Sequence, residues 1–146
     1  MNLASKIILI ITVLIAGFLA PDAINYTQQY LNQPTEKLSI EQYCMLSSQP
    51  CTQNSVKMTL NKDVIKPLVT SQITVQWQHS EAETLQLTMQ GLEGELGTVK
   101  YLLKRVSDNK FQGNITLPVC TLDEMTWLGQ LTDGKTTVYP ALKMKG

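Results

Sequence analysis

An excess of either charge is missing from this sequence. Lys plus Arg and Asp plus Glu number 12 each, and the net charge is zero. That excludes the basic footprint of a nucleic-acid binder. Histidine is nearly absent, with His79 the single one. It abuts Ser80 and Glu81, but no nucleophile motif accompanies it and no third group is placed to orient a base. His79 therefore reads as an exposed strand-end residue. The glycines at 91, 94 and 97 do not open a helix, and no Lys-Ser/Thr follows them, which excludes a nucleotide loop. Cysteine is scarce and odd in number: Cys44, Cys51 and Cys120 fit an oxidising compartment and leave one thiol over. Long helix-period patterns are lacking after residue 38. These absences together point away from an enzyme.

One long hydrophobic run is present, at residues 7–20, with no charge and one hydroxyl. As a helix this run spans about 21 Å, against a hydrocarbon core about 30 Å thick. Extended over residues 3–23 it becomes long enough to cross, with Lys6 snorkelling at one interface. The positive charge before it places the N-terminus inside. A cleaved secretory signal is the alternative, but cuts after Ala20 or Ala23 put Phe18 or Pro21 three positions before the scissile bond. An uncleaved signal-anchor is therefore favoured. Both readings export residues 22–146. The expected location is the bacterial inner membrane, single-pass, with the C-terminal domain in the periplasm, or the periplasm itself after cleavage.

The expected organisation is an anchor over 1–23, a tether over 24–37 and one β-domain over 38–146. Alternation of apolar and polar residues predicts strands at 38–44, 55–61, 72–79, 84–90, 98–106, 111–119 and 125–130, and a last one at 135–142. Ser80 to Ala82 suits a hairpin loop between the strands ending at His79 and beginning near Thr84. That register would set Met89 opposite Ile73. Asp133-Gly134 signals a two-residue hairpin. Gly113 falls on an apolar face, where a missing side chain allows a close approach, and Trp77 and Trp127 are natural core fillers. The predicted class is all-β: an antiparallel β-sandwich, immunoglobulin-like, preceded by one transmembrane helix.

Six residues separate Cys44 from Cys51, and Ser47, Ser48, Gln49 and Pro50 make the interval turn-like, so a Cys44–Cys51 bridge is the leading pairing. Cys120 is the alternative partner for either. Thiolate and thioether ligands select Cu(I), and Met125 lies five residues after Cys120, which makes that pair the candidate copper site. Met58 and Met89 sit in apolar phase and read as core. No resident cofactor is expected. A Cu(I)-binding domain using Cys120 and Met125 is the second functional reading, and a thiol-disulfide partner using the odd cysteine the third.

Several short pieces occur in series: Cys44-x-Leu46 to Pro50-Cys51, Lys66-Pro67-Leu68, Gly91-x-x-Gly94-x-x-Gly97, Phe111-x-Gly113, Leu117-Pro118-Val119-Cys120 and Met125-x-Trp127. This series resembles a family of small proteobacterial proteins with an N-terminal membrane segment and an exported β-domain. The resemblance covers about residues 44–131. It implies a link to copper delivery and cytochrome-oxidase assembly of the Sco type, and supplies no catalytic residue. Relatives often carry Gly-x-x-Met-x-Met-Gly, whereas this sequence has Gly94 and Leu96 at the methionine positions. The leading expectation is an accessory or interaction protein of the cell envelope, with a membrane and an envelope protein as partners.

Overall fold

The computed structural model describes residues 38–93, 97–119 and 122–146, together with Asn2 and Ile7. The expected anchor and tether lie outside the described residues apart from those two. Among the described residues, no helix is long and apolar enough to cross a membrane.

Leu38–Gly146 forms one compact unit. It opens with a single 3-10 turn, Ile40–Gln42, and continues in strands β1 (Cys44–Met45), β2 (Cys51–Gln53), β3 (Val56–Leu60), β4 (Ser71–Trp77), β5 (Thr84–Gly91), β6 (Thr98–Ser107), β7 (Lys110–Ile115), β8 (Glu124–Thr132), β9 (Thr137–Val138) and β10 (Pro140–Lys145). The strand expected over 38–44 is thus mostly a turn. Ser39 N–H donates to the Gln42 side chain at 2.9 Å and curls the segment. Elsewhere the alternation is real. In β3, β4 and β8 every second side chain is buried, because a strand sends successive side chains to opposite faces.

The ladders trace one continuous sheet in the order β1-β10-β8-β5-β6-β7-β4-β3-β2, with β9 also on β8. All pairs are antiparallel except β1 with β10. The all-β class matches the sequence. The path is one nearly closed, barrel-like sheet rather than two separately paired layers.

Its two ends meet. Cys44 on β1 and Cys51 on β2 form a disulfide with Cα atoms 5.9 Å apart. Beside it, the Gln53 amide donates to the Gln42 carbonyl at 2.8 Å and accepts from Tyr139 N–H at 2.6 Å. Leu60 N–H donates to the Ser47 carbonyl at 2.8 Å. Ile65, in the β3–β4 loop, joins β10 through backbone bonds with Lys143 and Lys145 at 3.0 Å each. An open sheet carries two rows of unpaired backbone groups, and these contacts draw the two edges together.

The hairpin expected between β4 and β5 does not form. β4 pairs with β3 and β7, while β5 pairs with β6 and β8, so Met89 stands opposite Gly129 and Val99 instead of Ile73. The chain crosses above β7 and β6 in a Greek-key step, about 14 Å at the usual strand spacing, which six linking residues can span. His79 takes a positive φ of 61° to start the crossing. Arg105 then holds it down. Its guanidinium lies 4.6 Å over the Phe111 ring and donates to the carbonyls of Ser80 (2.7 Å), Ala82 (2.6 Å) and Asp108.

Three other boundaries also differ from expectation. β7 stops at Ile115, and Val119 points outward. The Asp133-Gly134 turn is a four-residue loop, because Thr132 and Thr137 are the last paired residues. Its Asp133 carboxylate accepts from Lys135 N–H at 2.9 Å and Thr136 N–H at 2.8 Å, and Gly134 supplies a φ of 92°. The last strand is split at Tyr139, because Pro140 has no N–H to extend the ladder. The freed Tyr139 backbone serves the seam instead, accepting from Cys44 N–H at 2.8 Å.

The Asp133 carboxyl also accepts from the Ser80 hydroxyl at 3.0 Å. Burial pushes its pKa up, but the hydrogen bonds from Thr136, Lys135 and Ser80 outweigh burial and hold it below the ordinary carboxylate range. Folding therefore favours the ionised form. Its stabilisation is complete above the ordinary value near about 4 and is lost as pH falls through the lower folded value. Asp133→Asn is expected to lower the melting temperature at pH 7, with the gap from the unsubstituted chain closing below about pH 4. A gap that stays constant across an acid titration would contradict this.

Candidate functional site

The sequence nominates Cys120 and Met125, and the structure describes one of them. Cys120 lies outside the described residues. Met125 is 2% exposed, and its cross-strand partner on β10 is Met144, also buried. Met58 and Met89 are fully buried, as their apolar phase predicts. Among the described residues, no group of three or more His, Cys, Asp and Glu side chains is placed to hold a metal ion. His79 is exposed at the β4–β5 crossing. Gly113 lies where its apolar phase puts it: a Cβ there would come 2.9 Å from Leu103 Cγ.

The two ends of the barrel differ in chemistry. One end gathers the loops at 54–55, 78–83, 108–109 and 133–136, which follow from the registers of β2 to β9. These loops are polar, and Arg105, Asp133 and Ser80 pin the last three of them. None of them carries an exposed large hydrophobic residue.

The other end gathers the loop at 61–70, residues 92–93, 97, 116–119 and 122–123, and the end of β10. Six large aliphatic side chains are exposed on those loops: Val64, Leu68, Val69, Leu92, Val119 and Leu122. Sequence reading missed this cluster, because each residue sits alone in a polar loop and only the fold brings them to one end.

Leu68 is the most informative of the six. It is 67% exposed and holds a φ of 58°, a left-handed conformation rare for leucine. The turn that imposes this follows Pro67, with Val69 N–H donating to the Lys66 carbonyl at 3.2 Å. Such a turn favours glycine at the position Leu68 holds. Leu68 N–H is anchored to the Leu117 carbonyl at 3.0 Å, and Thr70 shares a hydroxyl contact with Thr116 at 3.0 Å. The leucine is thus held mostly outward at a backbone cost of about 1–2 kcal/mol, which little burial offsets. No protein-family model matches this chain, and no curated protein matches it.

Proposed function

We propose that the protein is an exported, membrane-anchored accessory module of the bacterial cell envelope that docks a protein partner through the apolar end of its β-domain. The observation that carries this reading is Leu68: an exposed leucine held where glycine would be more stable. Large exposed aliphatics grouped on one end mark an interaction surface more often than a random surface does. The Cys44–Cys51 disulfide supports an oxidising compartment. A role in respiratory oxidase assembly or copper homeostasis rests on the family resemblance. The finer immunoglobulin-like reading of the fold draws on the Greek-key step from β4 to β5.

Leu68→Gly separates stability from function. It is expected to raise the stability of the domain by about 1 kcal/mol, through relief of the left-handed leucine. The same substitution is expected to reduce partner capture. A photo-crosslinking residue at Val119 should yield discrete adducts in cells, reduced by Leu68→Gly, while one at Lys135 on the polar end should yield none. Equal adducts from both ends, or none from Val119, would overturn the docking surface.

A further inference from the structure

A second surface, on the side of the barrel, carries a different chemistry. No Asp or Glu lies on β2, β3, β4, β5, β6 or β7, which are consecutive neighbours in the sheet. The same six strands carry Lys57, Lys100, Lys104 and Lys110, with Arg105 committed to loop carbonyls. Acids stand in the connections at both ends, Glu81, Glu83 and Asp108 at the polar end and Asp63 and Glu93 at the other. An acid-free lysine face draws anions.

Within that face is a shallow depression of about 270 Å³, lined by Gln72, Leu102, Lys104, Gln112, Gly113 and Asn114. The register explains the cluster. Gln72 on β4 stands beside Asn114 on β7, and Gln112 on β7 stands between Thr74 on β4 and Lys104 on β6. Strand and residue spacings make this an array of about 10 by 7 Å. Gln112 Nε2 donates to the Thr74 hydroxyl at 3.2 Å, which leaves its Oε1 as an acceptor with no internal bond among the described residues. Among the described residues, the side chains of Gln72, Lys104 and Asn114 have no such internal bond. Leu102, 63% exposed, adds one apolar wall.

We infer that this groove binds an acidic saccharide, with the amides of Gln72, Gln112 and Asn114 on ring hydroxyls, the Lys104 ammonium on the sugar carboxylate and Leu102 against the ring's C–H face. A primary amide offers both donors and an acceptor, as vicinal hydroxyls require. An extended peptide would need a free sheet edge, and β4, β6 and β7 are each paired on both sides. The site is independent of the apolar end, so either reading survives failure of the other.

The test is nuclear magnetic resonance of the ¹⁵N-labelled full chain in a polyoxyethylene detergent. The probe is tetragalacturonate, compared with neutral maltotetraose and with hexaglutamate. Tetragalacturonate should shift the side-chain amides of Gln72, Gln112 and Asn114 saturably and in a salt-dependent way. Lys104→Gln and Asn114→Ala, both at outward positions, should weaken it about tenfold or more at unchanged melting temperature. Absence of a saturable shift at these amides overturns the inference. So does hexaglutamate or maltotetraose binding as well as tetragalacturonate, or wild-type binding by both variants.

Discussion

Trp127→Ala is expected to cost about 3–5 kcal/mol, the largest single-residue loss in the domain. Trp127 is fully buried on β8, with Gly91 across from it on β5 and Leu142 on β10. Gly91 brings no side chain to that position, so of the two cross-strand partners only Leu142 can relax toward the hole. Among the described residues, the buried indole Nε1–H has no hydrogen-bond partner. An unpaired buried donor carries its desolvation penalty in the folded state. Trp127→Phe therefore removes volume and also removes that penalty. It should cost well under half of what alanine costs. Chemical denaturation of the three proteins decides this; a Phe variant as unstable as the Ala variant would mean the Nε1–H has a partner after all.

The second large effect is at the seam. The Cys44–Cys51 disulfide spans a sequence separation of 7, a loop for which the chain-entropy argument gives about 2.5 kcal/mol. For a domain of this size that corresponds to a melting temperature lower by roughly 10 °C. The Cys44→Ser/Cys51→Ser variant should show more than a uniform loss. Leu46, Leu60 and Tyr139 donate the backbone N–H groups that stitch β1, β2, β3 and β10 together. Their hydrogen-exchange protection should fall first, while β5 and β6 keep theirs. A stability change below about 1 kcal/mol with unchanged seam protection would show that Gln53 and the backbone bonds close the sheet unaided.

What the sequence disclosed and what it withheld divide along a physical line. Alternation reports which side chains face inward, and it placed Val56, Met58, Ile73, Val75, Leu85 and Leu87 correctly. It says nothing of which strand lies next to which. The β4–β5 hairpin was the natural expectation, since consecutive strands usually pair. The deciding contacts are Arg105 on three loop carbonyls and over Phe111, and their partners are separated by up to 25 residues. Pro118 marked a strand end or edge, whereas the expected last strand ran through Pro140 over 135–142 and gave its neighbour Tyr139 no separate role. Tyr139 turns to Gln53, a partner 86 residues away. The apolar end was illegible for the same reason. Val64 and Val119 are isolated residues until the topology brings their loops together.

The placement of β1 also sets a schedule. β1 has only one ladder neighbour, β10, the last strand of the chain. During synthesis or export β1 must therefore wait for almost the whole domain before its backbone partners arrive. Pairings of such long range are slow to form. Cys44 and Cys51 are close enough in sequence to find one another with no help from later residues. Early oxidation would hold β1 against β2, and so against β3, while the remaining strands emerge. The bond then works as a placeholder in time, keeping the waiting strand away from edges on other chains until β10 arrives.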